Sequence, residues 1–449
     1  AMGLSRQLQL TSSAALCTLL LGGSGTLAFQ SSPKYALPSY RSSSSKSQHY
    51  LFSSSPARHH RRHHRFTTTP VATIPPGSHC SSPSASPSII SSSSTALEMS
   101  TMSTTGNLVT IREAIQAHKN NHSGPGSPKN IFLDGSWHMP MGPSPRNGRS
   151  EYIAGPRIRN AFFFDIDDLS SPPPSQPSNP KNLPHNKPSP IKFAAAMDRM
   201  GISPEDTLYV YGTKGCAFYH RSYWTLASCG YHDPSKVKLI MGSLDEWKEC
   251  GGELENEVLN EDDARLFRMS DVNLEKANQT TKYACWKKDD EVMDSSVVDL
   301  NQVLAIVNDK NKESHAKDAI IIDARSSGRF YGRDPEPRPG LRGGHMPGAL
   351  NLPFVSLLDP DDPTKFRSMD EVRDAFVKAG IAPLSEDKEG GGEGQQRKVI
   401  CTCGSGVTAA ALAVGLEECG LRSKDDIYIY DGSWIDWGSE DDTPIVTED

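Results

Sequence analysis

Cys403 lies in the segment of the chain whose residue types are best suited to covalent chemistry. Residues 399–401 form a short apolar run, and after Cys403 come Gly404, Gly406 and a strong helix-forming stretch at 409–418. The glycines allow a tight turn that points main-chain N–H groups inward, and the following helix contributes the positive end of its dipole. We expect such a loop to stabilise a thiolate and a persulfide, which predicts nucleophilic sulfur chemistry at Cys403.

Two other roles are open to a cysteine at the end of an apolar run. A buried, inert thiol is an adequate account of Cys401, but it leaves Cys403 unexplained. Some phosphatases hydrolyse phosphate esters with a similar cysteine loop. That loop is one residue longer and ends with an arginine. The sixth residue after Cys403 is Ala409, so the phosphatase interpretation fails.

Residues 403–408 read Cys-Gly-Ser-Gly-Val-Thr, and this string resembles the active-site loop of 3-mercaptopyruvate sulfurtransferases of the rhodanese superfamily. Thiosulfate-preferring rhodaneses carry basic residues where Gly404 and Ser405 stand. The resemblance covers residues 109–437 and implies transfer of sulfur from 3-mercaptopyruvate through a Cys403 persulfide, with release of pyruvate. It also implies substrate contacts from the loop residues Gly404, Gly406, Val407 and Thr408.

Two arginines nine positions apart match a second feature of the family. Arg329 stands in Gly-Arg-Phe and Arg338 in Asp-Pro-Glu-Pro-Arg, where Asp334 replaces a glutamate. In the family, arginines in these contexts bind the carboxylate and keto group of the donor, and a planar guanidinium suits a carboxylate. For Arg325 and Arg333 we expect ion pairs with nearby acids instead.

The resemblance further implies an Asp–His–Ser relay that handles the thiol proton. Asp167 matches the acid and Ser405 the hydroxyl, while His185 aligns with a His-x-x-Pro segment ahead of a predicted helix. The loop around His185 is rich in proline, and a solvated loop histidine is the alternative interpretation. Residues 431–434 match the family's Asp-Gly-Ser-Trp, which we interpret as a turn with packed indoles outside the site.

A repeat of about 189 residues organises the chain. The apolar run ending at Asp134 recurs at Asp323, and the run at 207–211 recurs at 397–401. Apolar runs alternate with amphipathic stretches, which predicts α/β architecture with two rhodanese-like domains, each a parallel sheet flanked by helices. We place the first domain at 107–260, an acidic linker at 261–294 and the second domain at 295–445.

Only the second copy carries the nucleophile. Subtracting 190 from Cys403 gives Thr213, so the first domain is predicted to be catalytically silent, and Cys216 is predicted to pack near the start of a helix. The pattern predicts helices at 191–200, 369–379 and 409–418. It predicts buried strands at 399–401 and 427–430.

The first 106 residues differ in composition from the rest. Between 1 and 105, Glu98 is the one acid against eight bases, and the apolar run at 14–21 is too short to span a bilayer as a helix. This Ser- and Pro-rich stretch resembles the bipartite signal-plus-transit leaders of algae with complex plastids. We expect import into a plastid or a mitochondrion. A disordered tail without an address, in a cytoplasmic protein, is the alternative.

Composition constrains the partners. The net charge of −7 supports neither nucleic-acid nor membrane binding, and nine scattered cysteines do not form a disulfide framework or a four-ligand zinc site. We expect no cofactor and no metal. The expected sulfur donor is 3-mercaptopyruvate or thiosulfate, and the expected acceptor is thioredoxin, a small thiol or cyanide. The rival functions are a thiosulfate:cyanide sulfurtransferase and a non-enzymatic sulfur carrier.

Overall fold

The computed structural model describes residues 105–121, 127–140, 143–173, 179–228, 233–273, 296–308, 319–383 and 397–447. Residues 1–104 of the predicted leader lie outside the described residues. Within the described ranges no helix is long and apolar enough to cross a membrane. We call 105–273 the first half and 296–447 the second half.

The first half is built on a parallel five-stranded sheet in the order β1-β6-β5-β2-β4. Its strands are β1 (Leu108–Thr110), β2 (Asn130–Asp134), β4 (Phe162–Phe163), β5 (Thr207–Tyr211) and β6 (Val237–Met241). A short antiparallel pair is formed by β3 (Arg157–Ile158) and β7 (Leu254–Glu255). Its helices are α1 (Ile111–Lys119), α2 (Gly148–Ala154), α3 (Ile166–Leu169), α4 (Pro190–Arg199), α5 (His220–Ser228) and α6 (Leu244–Glu249).

The second half contains another parallel five-stranded sheet, in the order β10-β9-β11-β12-β8. Its strands are β8 (Val297–Val298), β9 (Ala319–Asp323), β10 (Leu350–Asn351), β11 (Lys398–Thr402) and β12 (Ile427–Tyr430). Its helices are α7 (Leu300–Asn308), α8 (Ser327–Phe330), α9 (Met369–Lys378), α10 (Ala409–Glu418) and α11 (Ser433–Trp437).

The two sheets have the same topology. Written from the opposite edge, the second sheet runs β8-β12-β11-β9-β10, and each strand occupies the place of its counterpart about 189 residues earlier. The predicted α/β fold with two parallel sheets is therefore confirmed. In both sheets the central strands β5 and β11 deliver the chain to the carboxyl edge, where ligands of open α/β sheets bind.

The predicted elements agree with the observed ones to within one residue at either end. Helices predicted at 191–200 and 369–379 are α4 and α9, and the stretch 409–418 is α10. Helix α10 is buried on nearly all sides because its residues are apolar around the whole circumference. It packs against α5 of the first half, so that one apolar core runs through both halves.

The segment predicted as a linker begins with residues that pack on the first half. Leu266 and Phe267 are buried there, and the main-chain N–H of Phe163 donates to the carbonyl of Arg265 (3.0 Å). The remainder of that segment, 274–294, lies outside the described residues. The domain boundaries therefore remain predictions.

Candidate active site

Cys403 follows β11 directly and is held by its own main chain. Its N–H donates to Ser433 Oγ (3.2 Å), and its carbonyl accepts the N–H of Trp434 (3.0 Å). The next carbonyl, that of Gly404, accepts the N–H of Ile435 (3.0 Å). The start of α11 thus holds the cysteine loop through hydrogen bonds. The sequence pattern predicts residues 431–434 outside the site, whereas Ser433 and Trp434 contact Cys403 directly.

The loop after Cys403 presents free main-chain donors. In the part of the chain that the structure describes, the amides of residues 404–408 donate to no protein acceptor. Gly406 has φ +81°, and an added Cβ there would lie 2.8 Å from the carbonyl oxygen of Asp431. Glycine is therefore required for the turn that gathers these amides. Such a nest suits an anion or a persulfide sulfur.

A cavity of about 360 Å³ opens over this loop. Cys403 is only 2 % exposed, and it contributes to the cavity wall together with Arg329 and Arg338. Trp137 and Phe218 of the first half complete the wall on the opposite side. The thiol is therefore buried in the protein yet faces the same space as both guanidinium groups, and the space is formed by both halves.

The two arginines of the cavity are in different environments. Arg329 is bound to Glu336 through Nη2 to Oε2 (2.5 Å) and Nε to Oε1 (3.2 Å). An added Cβ on Gly404 would lie 3.0 Å from Arg329 Nη2, which places this guanidinium against the cysteine loop. Arg325 pairs with Asp323 (2.7 Å) and with Glu336 (2.8 Å), as expected of a structural arginine.

Arg338 is exposed at the rim of the cavity. Partial removal from water and the neighbouring positive charge of Arg329 lower its pKa, against the opposing influence of Asp167 and Cys403. Among the described residues Arg338 forms no ion pair. It is therefore the cation of the cavity whose charge is least neutralised. The other arginine of this loop, Arg333, lies over the Tyr331 ring, 4.9 Å from its centroid.

The predicted relay residues lie in one hydrogen-bonded line across the two halves. His185 Nε2 is 2.7 Å from Asp167 Oδ1, and His185 Nδ1 is 3.2 Å from Ser405 Oγ. His185 is 4 % exposed and Ser405 is 8 % exposed. A solvated loop histidine does not fit this environment. The part of the loop around His185 that the structure describes brings the ring to the cysteine loop.

Asp167 is held ionised by its neighbours. Desolvation raises its pKa, but the hydrogen bond and charge of His185, the Trp137 indole and the charge of Arg338 outweigh it and lower the pKa. Trp137 Nε1 donates to Asp167 Oδ2 (2.9 Å), and the indole also contacts the His185 ring edge to face, with centroids 4.7 Å apart. Trp137 therefore positions both Asp167 and His185.

Arg221 of α5 ties the relay loop to the cysteine loop. Its guanidinium donates to the carbonyls of His185 (2.6 Å) and Gly406 (3.0 Å) and to Asp431 Oδ1 (2.7 Å). Arg221 is 1 % exposed. Sequence reasoning missed Arg221, Trp137 and Ser433 because each acts through a contact far away along the chain.

The equivalent position in the first half carries no nucleophile. The prediction of Thr213 at this position is wrong by one residue: Asp134 pairs with Tyr211 in the first sheet as Asp323 pairs with Thr402 in the second, so Gly212 stands where Cys403 does. The next residue, Thr213, donates its N–H to Ser136 Oγ (2.8 Å). Cys216 is fully buried and burial raises its pKa, as expected of a packed thiol. Within the described ranges no cluster of histidine, cysteine and acidic side chains could hold a metal ion.

Comparisons with known proteins identify chains similar to this one. The family model described as "Rhodanese-like domain" matches residues 307–440. The mitochondrial thiosulfate/3-mercaptopyruvate sulfurtransferase 1 of Arabidopsis thaliana is 32 % identical over 70 % of this chain and 73 % of its own. The 3-mercaptopyruvate sulfurtransferase of Escherichia coli K12 is also 32 % identical, over 68 % of this chain and 88 % of its own.

A solved structure shows the same fold. The crystal structure of Tum1 from Saccharomyces cerevisiae matches with a TM-score of 0.55 and 24 % identity, over 76 % of this chain and 98 % of that one. Fold and cysteine loop together define a sulfurtransferase with the rhodanese fold. The chain belongs to the family of 3-mercaptopyruvate and thiosulfate sulfurtransferases.

Proposed function

We propose that this enzyme takes sulfur from 3-mercaptopyruvate, carries it as a persulfide on Cys403 and passes it to an acceptor thiol or to cyanide. The observation that supports this most directly is the single cavity in which Cys403, Arg329 and Arg338 meet. A donor with a carboxylate, a keto group and a thiol matches two guanidinium groups and one sulfur nucleophile.

In the first step, the Cys403 thiolate attacks the sulfur of the donor. A sulfur–sulfur bond forms and the carbon–sulfur bond breaks, and the bonding electrons remain on the carbon as the enolate of pyruvate. The proton of the donor thiol leaves through the relay, and a proton is returned to the methylene carbon to give pyruvate. Arg329 and Arg338 stabilise the carboxylate and the enolate oxygen during this step.

With a neutral imidazole, the two contacts of His185 fit one arrangement of protons. Because Asp167 is ionised at neutral pH, its carboxylate only accepts, and His185 Nε2 must carry the hydrogen of that pair. In the neutral ring Nδ1 is then an acceptor and receives the hydroxyl hydrogen of Ser405 (3.2 Å). The serine oxygen is left free to accept the proton of the donor thiol.

In the second step, the acceptor thiolate attacks the outer sulfur of the persulfide. The bond between the two sulfurs breaks, Cys403 leaves as a thiolate, and the acceptor becomes a persulfide. With cyanide the product is thiocyanate. The free amides of residues 404–408 favour the leaving thiolate and therefore assist this step as well as the first. Thioredoxin or a small thiol is the acceptor class that we propose.

Thiosulfate is the second candidate donor, because the Arabidopsis relative carries both donors in its name. Its dianion would have to be held by the two arginines of the cavity and by the free amides, since Gly404 and Ser405 are uncharged. We therefore expect a higher kcat/KM with 3-mercaptopyruvate than with thiosulfate. A clear preference for thiosulfate in a side-by-side rate comparison would overturn the choice of donor.

A single-turnover experiment separates an enzyme from a passive sulfur carrier. Wild-type protein mixed with excess 3-mercaptopyruvate and no acceptor should release about one pyruvate per Cys403 in a burst. Cys403→Ser should release none, whereas Cys401→Ser, the matched change at a buried thiol of β11, should retain the burst. Pyruvate release by Cys403→Ser at the wild-type level would exclude the persulfide mechanism.

We also propose that the leader directs import into a plastid or a mitochondrion. The support is its composition and the mitochondrial name of the Arabidopsis relative. Residues 1–106 fused to a fluorescent protein should carry it into one of these organelles. Uniform cytoplasmic fluorescence would favour the tail without an address.

A further inference from the structure

The cavity over Cys403 is larger than the donor requires. Its volume is about 360 Å³, which lies within the range of about 300–1,000 Å³ that is typical of sites for drug-sized ligands. 3-Mercaptopyruvate has a three-carbon chain and fills only part of such a space. Because the proposed reaction brings a second substrate to the same sulfur, the remaining space is available to the acceptor.

Three aromatic side chains in mutual contact form one part of the cavity wall. The rings of Trp137 and Phe218 meet edge to face, with centroids 5.4 Å apart, and the rings of Phe218 and Phe354 have centroids 5.8 Å apart. All three residues line the cavity. Trp137 and Phe218 belong to the first half and Phe354 to the second, so both halves contribute to this group, which we call the aromatic wall.

The aromatic wall presents ring surface rather than hydrogen-bonding groups. Its three side chains are only partly buried, although each packs against the apolar core. The one polar atom in these side chains, the indole nitrogen of Trp137, donates to Asp167 (2.9 Å). Met139 and Leu341 line the same cavity and add apolar surface. An apolar group that covers this surface is removed from water, and aromatic side chains in contact favour a further ring.

The donor and cyanide leave the aromatic wall without a role. The carboxylate, keto group and thiol of 3-mercaptopyruvate match Arg329, Arg338 and Cys403, and cyanide has no body that could reach beyond the sulfur. An acceptor thiolate attacks the outer sulfur of the persulfide from the place that pyruvate has left. The body of the acceptor therefore extends into the space that the aromatic wall borders.

We propose that the acceptor is a small thiol that carries an aromatic ring, and that Phe218 and Phe354 select it by packing against that ring. This assignment rests on the proposed function, because it names the second substrate of the same site. The acceptor thiolate attacks the outer sulfur of the persulfide, the bond between the two sulfurs breaks, and Cys403 leaves as a thiolate. The product is the persulfide of the aromatic thiol, and the step needs no oxidant or reductant.

The test compares acceptors by the rate of pyruvate formation at saturating 3-mercaptopyruvate. Phenylmethanethiol and 2-mercaptoethanol are alkyl thiols of similar acidity, so a difference between them reports the body of the molecule. We expect kcat/KM for phenylmethanethiol to exceed that for 2-mercaptoethanol by about tenfold or more, as the burial of a ring of this size predicts. Free cysteine, whose carboxylate could use the arginines instead, should also be the poorer acceptor.

The variants that locate this preference change the aromatic wall from either half. Phe354→Ala and Phe218→Ala should each lower the ratio of kcat/KM for phenylmethanethiol over 2-mercaptoethanol by about fivefold or more, because each removes a ring from the contact surface. A merely structural loss would lower both values by the same factor and leave the ratio unchanged. Phe354→Leu keeps the apolar packing without the ring, and it gives the same test if the alanine variant does not fold.

Val355→Ala is the matched control. Val355 follows Phe354 directly, is 58 % exposed and does not line the cavity, so this variant should keep both rates and their ratio. A wild-type pyruvate burst together with a ratio near one, or with faster transfer to free cysteine, would overturn the aromatic acceptor and leave the proposed function intact. Absence of the burst in the wild type would overturn both.

Discussion

Glu336 takes no part in the proposed reaction, but it positions two arginines of the candidate site. Its carboxylate bridges Arg325 and Arg329, so that one acid fixes a structural arginine and an arginine of the cavity at once. Arg329 is therefore preorganised but partly neutralised, while Arg338 at the rim forms no ion pair among the described residues. We infer that Arg329 orients the donor and that Arg338 contributes more of the attraction for its carboxylate.

The relay leads to a prediction at the same scale. Asp167→Asn keeps the shape of the side chain but removes the charge that holds the Nε2–H form of His185. We expect kcat for pyruvate formation to fall by about 100-fold, the lower end of the range that general acid–base groups contribute. Steady-state rates with 3-mercaptopyruvate measure this fall.

The neighbouring acid of α3 provides the control. Asp168 accepts the main-chain N–H of Met269 (2.7 Å), a structural contact, so Asp168→Asn should lower the melting temperature and leave kcat unchanged. The lowered pKa of Asp167 means that its charge is present at neutral pH and is lost only as the pH falls below its ordinary value of 3.8. An acid limb of wild-type activity near neutral pH would therefore belong to another group. Wild-type turnover by Asp167→Asn would remove Asp167 from the relay.

At the scale of elements, the local sequence pattern was sufficient to predict the strands and helices that carry the site. Strand β11, helix α10 and strand β12 follow directly from apolar runs, a glycine turn and helix-forming residues. The contacts between elements could not be predicted in this way. Ser433 bonds to an amide thirty residues away, and the role of Arg221 depends on the packing of α5 against α10. Such contacts leave no local signature in the chain.

The turn between β11 and α10 can be tested at one glycine. Gly406→Ala places a methyl group at φ +81° and 2.8 Å from the carbonyl oxygen of Asp431. Left-handed backbone strain alone costs about 1–2 kcal/mol, and the close contact adds to it. We expect a loss of about 2–3 kcal/mol in the free energy of unfolding and a lower rate of persulfide formation.

Gly348→Ala is the matched control for Gly406→Ala. Gly348 has φ +78° and no heavy atom near the position of an added Cβ, so it tests backbone strain without a contact. It should cost only about 1–2 kcal/mol and leave persulfide formation unchanged. Equal losses in the two variants, measured by denaturant unfolding, would show that the contact with Asp431 does not constrain the cysteine loop.

At the scale of the molecule, both halves contribute residues to the candidate site. The relay begins on the first half and ends at Ser405 on the second, and α5 and α10 pack in a common apolar core. Gly212 stands in the first half at the position equivalent to Cys403 and has no side chain, yet this half contains His185, Asp167 and one wall of the cavity. We infer that the first half completes the site.

Arg221 joins the halves, and its removal tests whether they act as one unit. Arg221→Met would leave Asp431 and two carbonyls without their donor in a buried environment. Breaking a buried pair of this kind costs about 3–5 kcal/mol, which corresponds to a fall of roughly 10 °C in melting temperature for a protein of this size. Arg367→Met, which removes a surface arginine 3.8 Å from Glu371, should change the melting temperature little.

Calorimetry should show one unfolding transition for the wild type and one transition at a lower temperature for Arg221→Met. Arg221→Met should also lose turnover, because the His185 loop is released. The opposite result would be two transitions in the wild type, with both melting temperatures unchanged in Arg221→Met. It would mean that each half unfolds independently of the other.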